Sequence, residues 1–231
     1  MDTYRAEAER ADIARVDPER VRAWVEGWVI SRLASPPVEE EWGFSFDVGM
    51  SRQVTRHVLP EADEALVRKL TETFTAPGTW LKVMLPRETV RPWMAAGWDF
   101  DDPGFLMSTA VRPVSAPVPD GYRLRTWTRG GLTRALVVTA DGTFAARGQV
   151  AIPPGTRTAV VDQVETAVNQ RRKGLGSLVM RTLANAGAEA GAEAAVLGAT
   201  PEGRALYESL GWRTESPLTG LVRNPSAVPA V

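Results

Sequence analysis

Apolar positions change period several times along the chain, and each change predicts an element. Val21, Trp24, Val25, Trp28 and Val29 recur at i, i+3, i+4, i+7 and i+8, the spacing of one helix face. Asp17-Pro18 just ahead supplies an N-cap and a first-turn proline. Residues 42–48 and 53–59 alternate as strands joined through Gly49-Met50-Ser51. Leu66, Val67, Leu70 and Phe74 mark a second helix. A short strand over 80–85, a helix over 88–96 ending at Gly97 and a strand over 104–111 follow. Beyond them, 122–127, 134–139 and 143–152 read as strands, with Asp141-Gly142 as a tight turn. A longer strand covers 160–168. Leu175, Leu178, Val179, Leu183 and Ala186 then form the stripe of a helix over 177–190. A strand over 194–198, a helix over 202–210 stopped by Gly211, and an extended stretch from Trp212 into a proline-bearing tail complete the pattern.

Strands alternating with helices predict an α/β fold with a mixed sheet. The run Arg112-Pro113-Val114-Ser115-Ala116-Pro117-Val118-Pro119-Asp120-Gly121 disfavours helix and central strand and reads as a semi-rigid linker between two halves, 1–115 and 116–231. The halves echo each other. Trp80 to Pro86-Arg87-Glu88, running on to Gly97-Trp98, has the layout of Ala194 to Pro201-Glu202, running on to Gly211-Trp212. Trp93 takes the place of Tyr207.

Composition removes whole classes of chemistry. The chain has 231 residues and no cysteine, so thiolate metal sites, disulfides and cysteine acyl-enzymes are excluded. Its one histidine, His57, lies on an alternating stretch without a glycine-flanked serine elbow and reads as a surface or edge residue. No metal site is expected. Twenty-seven basic against 28 acidic residues leave a net charge of −1, so neither nucleic acid nor an anionic membrane is an expected partner. No apolar run is long enough to span a bilayer, and the charged start Met1 to Glu7 lacks the apolar core of a signal peptide, so a cytoplasmic location is expected.

The strongest chemical signal is Arg171-Arg172-Lys173-Gly174-Leu175-Gly176-Ser177, set between a predicted strand and a predicted helix. Glycines let the backbone approach a ligand, and the first N–H groups of the helix then face it, favouring an anion. The spacing is not that of a P-loop, because Leu175 separates the final glycines and the lysine precedes both. Nor is it a Rossmann fingerprint, whose third glycine would fall at Val179. The equivalent point of the first half, Leu59-Pro60-Glu61-Ala62-Asp63, is acidic and lacks glycine.

What remains is Arg171-x-x-Gly174-x-Gly176 opening a helix after a strand, followed later by Gly203-Arg204-Ala205-Leu206-Tyr207-Glu208-Ser209-Leu210-Gly211-Trp212. This pair of segments resembles the GCN5-related N-acetyltransferases (GNAT). The resemblance implies a GNAT fold in two tandem halves, the first a degenerate copy lacking the coenzyme loop and contributing to the acceptor site, the second binding acetyl-CoA. It implies that the loop from Arg171 through Ser177 holds the coenzyme pyrophosphate, and that Val164, Glu165 and Thr166 offer backbone groups to the pantetheine arm. It implies that Thr200 takes the place of an asparagine that contacts that arm, and that Tyr207 protonates the departing thiolate. The acceptor implied is a primary amine of a small molecule, with the enzyme a monomer or homodimer. A protein amine as acceptor and a non-catalytic acyl-CoA-binding module are the other readings.

An amine with a pKa of about 10.4 is almost wholly protonated at neutral pH and must lose that proton before attack. Asp162 and Glu165 are the carboxylates on the strand before the loop. By strand parity Asp162 shares a face with Val164 and Thr166, while Glu165 points the other way. Asp162 is the candidate base. The competing reading pairs it with an arginine and leaves deprotonation to water. Residues 128–131, Thr-Arg-Gly-Gly, cannot hold the helices that usually wall the acceptor site in this family. The helix from Val21 to Arg32 and the strands after it are the expected substitute. The tryptophans of the first half, Trp24 and Trp28 among them, read mainly as core.

Overall fold

The computed structural model describes residues 16–224. The leader reading at Met1 to Glu7 and the tail after Asn224 lie outside the described residues. The first helix, α1 (Pro18–Arg32), starts as expected: Asp17 accepts from the Glu19 amide at 3.0 Å and proline occupies the first turn. The first half continues with β1 (Val38–Glu40), β2 (Gly43–Met50), β3 (Gln53–Leu59), α2 (Glu64–Thr73), β4 (Thr79–Val83), α3 (Arg87–Val90), β5 (Trp98–Phe100) and β6 (Phe105–Ala110). Then come β7 (Tyr122–Arg129), β8 (Leu132–Thr139), β9 (Phe144–Ala151), β10 (Thr158–Thr166), α4 (Leu175–Glu189), β11 (Ala194–Ala199), α5 (Pro201–Ser209), β12 (Arg213–Pro217) and β13 (Thr219–Arg223). No described helix is long and apolar enough to cross a membrane.

Among the described residues two mixed sheets form. One runs β1-β2-β3-β4-β13-β5 and the other β7-β8-β9-β10-β11-β6-β12. From β1 and from β8 onward, the two follow one plan. An antiparallel meander leads to a parallel pair, β3 with β4 and β10 with β11, and two antiparallel strands close the far edge. Each parallel pair is joined through a helix, α2 or α4, as a parallel crossover requires. The halves also trade a strand: β6 sits between β11 and β12, while β13 sits between β4 and β5. A cut at 115/116 therefore separates β6 from the sheet it completes. The proline-rich run at 112–121 joins β6 to β7 within one sheet rather than linking two halves. Asn185 of α4 holds it there, bonding the Val114 amide and carbonyl at 2.8 Å each.

Three other expectations are corrected. The helix over 88–96 stops after Val90, and Arg91–Trp93 is a single 3-10 turn. Pro92 lacks the amide that a helix would use and crowds the carbonyl of Glu88. His57 is buried, not at the surface. It stacks on Phe74 with ring centroids 4.0 Å apart, and its Nδ1 lies 2.8 Å from Ser45 Oγ. Burial pushes its pKa down to about 4, against the pull of Asp47, so the ring is neutral at neutral pH. The third correction concerns β10, whose alternation is broken at Gln163, as described below.

The centre of the molecule is α1, held between the two sheets. Its tryptophans and valines share one core with Phe44, Phe46 and Val58 of the first sheet and with Leu106, Val160 and Val196 of the second. The small residues Ala23, Gly27 and Ser31 fall at i, i+4 and i+8, one helix face, and all three are buried. A Cβ on Gly27 would lie 2.2 Å from Val160 Cγ2 and 2.4 Å from its Cβ, so helix and strand meet here with no room for a methyl group. Gly27→Ala must push α1 off β10. The expected loss is about 3 kcal/mol, read as a lower midpoint in thermal or urea unfolding. An unchanged midpoint would contradict the close contact.

Candidate active site

The glycine loop turns into α4 beside the C-terminal end of β10. Arg172 and Gly174 both take left-handed backbone angles, φ 65° and 77°. Gly174 is the N-cap of α4 and offers no side chain to its amides. The first intrahelical bond runs from Leu178 N to Gly174 O, so the amides of Leu175, Gly176 and Ser177 have no helical acceptor. A Cβ on Gly174 would meet nothing within 4 Å, and the turn is open to a ligand. Gly176 serves packing instead: its Cβ would stand 2.9 Å from Leu206 of α5. The exposed cations are held at the rim. Arg171 Nε reaches the Thr166 carbonyl at 3.4 Å, and Lys173 Nζ bonds Gln170 Oε1 at 2.8 Å. Tyr122 of β7 braces the same Gln170 oxygen at 2.8 Å.

The corresponding turn of the first half is closed to anions. Asp63 caps α2 by accepting from the Leu66 amide at 2.8 Å, placing its own carboxylate where a phosphate would sit.

The pairing of β10 with β11 runs from Thr158/Ala194 to Val160/Val196 and stops there. Both strands continue, β10 bonded only to β9 and β11 only to β6. Among the described residues the facing edges beyond Val160 and Val196 are unpaired, so Val164, Glu165 and Thr166 present backbone along a gap leading toward the loop. Gln163, at φ 52°, makes a bulge: Asp162 opposes Gln149 and Glu165 opposes Arg147, so Gln163 and Val164 lie opposite Gly148 alone, two residues against one. The expected parity fails here. The extra residue brings Glu165 onto the face of Asp162, while Val164 turns toward α4, near Gly148 and Val179.

Tyr207 of α5 is buried beside Trp212, with ring centroids 6.1 Å apart, and a Cβ on Gly203 would lie 3.1 Å from its ring. Among the described residues its hydroxyl has no hydrogen-bond partner. Burial first, and then the negative charge of Asp162, push its pKa up to about 12, so it is a protonated phenol at neutral pH. Thr200 caps α5, accepting from the Gly203 amide at 3.1 Å. Its oxygen is thus already engaged by the protein.

Asp162 is tied to α1. Arg32 grips both carboxylate oxygens at 2.6 and 2.9 Å, and Ser31 Oγ donates at 2.6 Å. Gln149 Nε2 in turn bonds the Ser31 carbonyl and Oγ at 2.8 and 2.7 Å. Burial works to raise the Asp162 pKa. The bond and charge of Arg32, with help from Ser31 and the Gln163 amide, outweigh it and hold the group below its usual value. Arg32, Ser31 and Gln149 had no mark in the sequence beyond their place at the end of α1 and on β9. Arg56 was missed as well. It is buried against Trp28, 4.0 Å from the ring centroid, and Gln53 accepts from it when its amide oxygen faces the guanidinium.

Residues 104–212 match the acetyltransferase (GNAT) family model. This segment belongs to the GNAT family. The match begins at β6, the strand lent across from the first half, and ends just before β12. The fold of the whole chain is also that of solved GNAT proteins. A GCN5-related N-acetyltransferase from Kribbella flavida is 18% identical, with 91% of this chain and 96% of that chain covered at a TM-score of 0.64. A structure assigned to the GNAT family from Novosphingobium aromaticivorans is 19% identical, covering 91% and 100% at a TM-score of 0.57. No curated protein matches the chain.

Two outcomes test this candidate site. Gly174→Val places a branched side chain in a left-handed conformation at the open turn. It is expected to weaken coenzyme A binding at least about tenfold by calorimetry, as loss of charge-assisted amide bonds would, with unchanged circular dichroism. Equal affinity would contradict the loop assignment. Asp162→Asn is expected to cost about 2 kcal/mol near neutral pH, where the charged pair with Arg32 is lost. Because the folded-state pKa of Asp162 is depressed, the pair stabilises above the ordinary aspartate range. It is lost as pH falls through the folded-state value. Urea unfolding at several pH values should show the wild type and variant converging toward acid. A pH-independent difference would contradict the ion pair.

Proposed function

We propose that the protein transfers an acetyl group from acetyl-CoA to a primary amine of a small molecule by direct attack, in the cytoplasm, as a monomer or homodimer. The observation that carries this reading is the Tyr207 hydroxyl. It is protonated and, among the described residues, unpartnered, beside a gap between β10 and β11 that leads to the open glycine turn at the start of α4. In this reading the amides of Leu175 to Ser177 hold the pyrophosphate, and the free edge of β10 from Val164 to Thr166 aligns the pantetheine arm in the gap. The amine nitrogen attacks the thioester carbon, the carbon–sulfur bond breaks, and Tyr207 gives its proton to the departing sulfur. Solvent then returns a proton to the phenolate.

For the amine proton, the contacts of Asp162 favour the water reading. A carboxylate gripped by Arg32 and Ser31, with a depressed pKa, is a poorer base than a free one. Its role is to fix the bulge of β10 against α1, while water carries the proton out. The acceptor then lies over β9 and β10 beside the end of α1, the wall that residues 128–131 do not build.

Thiol release from acetyl-CoA across amino acids, amino sugars, polyamines and arylalkylamines tests the proposal. Tyr207→Phe is expected to lower turnover about a hundredfold, the usual size of a general-acid contribution, with coenzyme A affinity within a factor of about two. Full turnover of this variant at every pH would remove the acid from Tyr207. Coenzyme binding without product from any amine would favour the non-catalytic module.

A further inference from the structure

Strand register lines up two rows of side chains across the face of the second sheet that α1 partly covers. One row runs Trp127–Arg134–Gln149–Asp162, and the next runs Arg125–Leu136–Arg147–Glu165. Directly paired residues share a face, so both rows lead from the edge strand β7 to the gap at β10. Between them lies a cavity of about 480 Å³ whose lining includes Trp127, Phe144, Arg134, Arg147, Gln149 and Glu165. Among the described residues no helix roofs it on the β7 side, where β7 turns into β8 through Gly130 and Gly131 at positive φ.

The charges on these rows do not cancel. Asp162 is already neutralised by Arg32, and Glu165 pairs with Arg147 at 2.9 Å. Arg134 and Arg125 have no carboxylate partner among the described residues. Arg134 is half-buried, and its Nε is fixed on Gln149 Oε1 at 3.2 Å, leaving the outer nitrogens of the fork to face the cavity. Trp127, 44% exposed, forms the outer wall. A chain with a net charge of −1 has therefore concentrated arginine here, and every cation of the two rows is a guanidinium rather than an ammonium. A planar fork matches the paired oxygens of a carboxylate or phosphate. Two strand spacings, about 10 Å, separate the backbone of Arg134 from that of Asp162. This is a span that one small molecule and an arginine side chain bridge together.

We infer that the acceptor amine carries an anionic group, a carboxylate or a phosphate, which docks on Arg134 while its nitrogen points to the gap between β10 and β11. The inference rests on the transferase reading for the nitrogen and on the charge of the cavity for the acid.

Matched amines with and without the acid separate the two. Phosphoethanolamine is paired with ethanolamine, glucosamine 6-phosphate with glucosamine, and phenylalanine with phenethylamine, each in the thiol-release assay with acetyl-CoA. In at least one pair the acidic member should exceed its neutral partner about tenfold or more in kcat/KM, the scale of one charge-assisted contact. Arg134→Gln should erase that advantage by raising KM for the acid, with kcat for the neutral partner and KM for acetyl-CoA unchanged. Arg134→Lys should recover only part of it. The phosphate and carboxylate pairs tell which anion is preferred. Calorimetry of the same six amines on the coenzyme A-loaded protein and on both variants reads binding without chemistry. If acids bind through Arg134 but no amine is acetylated, the transferase reading falls and the anion site stands. If amines are acetylated with no preference for acid, or with a preference that survives Arg134→Gln, the inference is overturned and the transferase reading stands. Neither binding nor turnover of any acid overturns the inference as well.

Discussion

Everything at the gap between β10 and β11 depends on how closely α1 approaches β10. Gly27 removes the one methyl group that would hold the helix off Val160. One turn further along the same face, Ser31 meets Asp162 and Gln149. The next residue, Arg32, then reaches Asp162, which sits at the start of the bulge. The helix is thus in van der Waals contact where the parallel ladder is still intact and in charged contact where it ends. The bulge is held from the side by a group whose geometry is fixed at both ends, which is what a site needs if it is to place a reacting atom within a fraction of an ångström.

The two sheets show how one plan yields two chemistries. In each, a strand runs into a helix at the start of the parallel crossover. The first copy ends that turn with Asp63, whose carboxylate satisfies the helix amides from within. The second ends it with Gly174, which leaves them to whatever comes from outside. The helix dipole and the orphan donors favour negative charge in both cases. The exchange of β6 and β13 binds the copies together, because neither sheet is complete without a strand from the other. The first half cannot drift relative to the gap between β10 and β11 without breaking ladder bonds in both sheets.

Much of this was legible from local pattern. The helix face from Val21 to Val29, the turn at Asp141-Gly142 and the glycine turn that opens α4 follow from spacing and glycine chemistry, and the structure has all three. The loop and the Gly-Trp-ended helix also sufficed to suggest the GNAT family. What stayed hidden depends on partners distant in sequence. A period-two reading carries no sign of a bulge at Gln163, so it assigned Glu165 to the wrong face. His57 looks polar on its strand, and only Phe74 and Ser45 folding against it make it core. β6 reads as the end of the first half because sequence order is silent about which sheet receives a strand. Pro92, by contrast, is a local signal that ends the helix after β4 on its own.

Charge distribution carries the last step. A nearly neutral chain argued against polyanionic partners, and that argument concerns the molecule as seen from a distance beyond a Debye length. A substrate inside a cavity meets a different field, set by the few charges within reach. Among the lining residues two arginines face a single carboxylate, and the aspartate at the end of the row is spoken for by α1. The same ion pair that anchors the bulge therefore also sets the sign of the acceptor cavity. Were Arg32 absent, Asp162 would add a free negative charge at the end of the arginine row, favouring a bare cationic amine and opposing an anionic one. On the proposed function, the architecture that locates the reaction and the electrostatics that select its acceptor are then consequences of one contact between a helix end and a bulged strand.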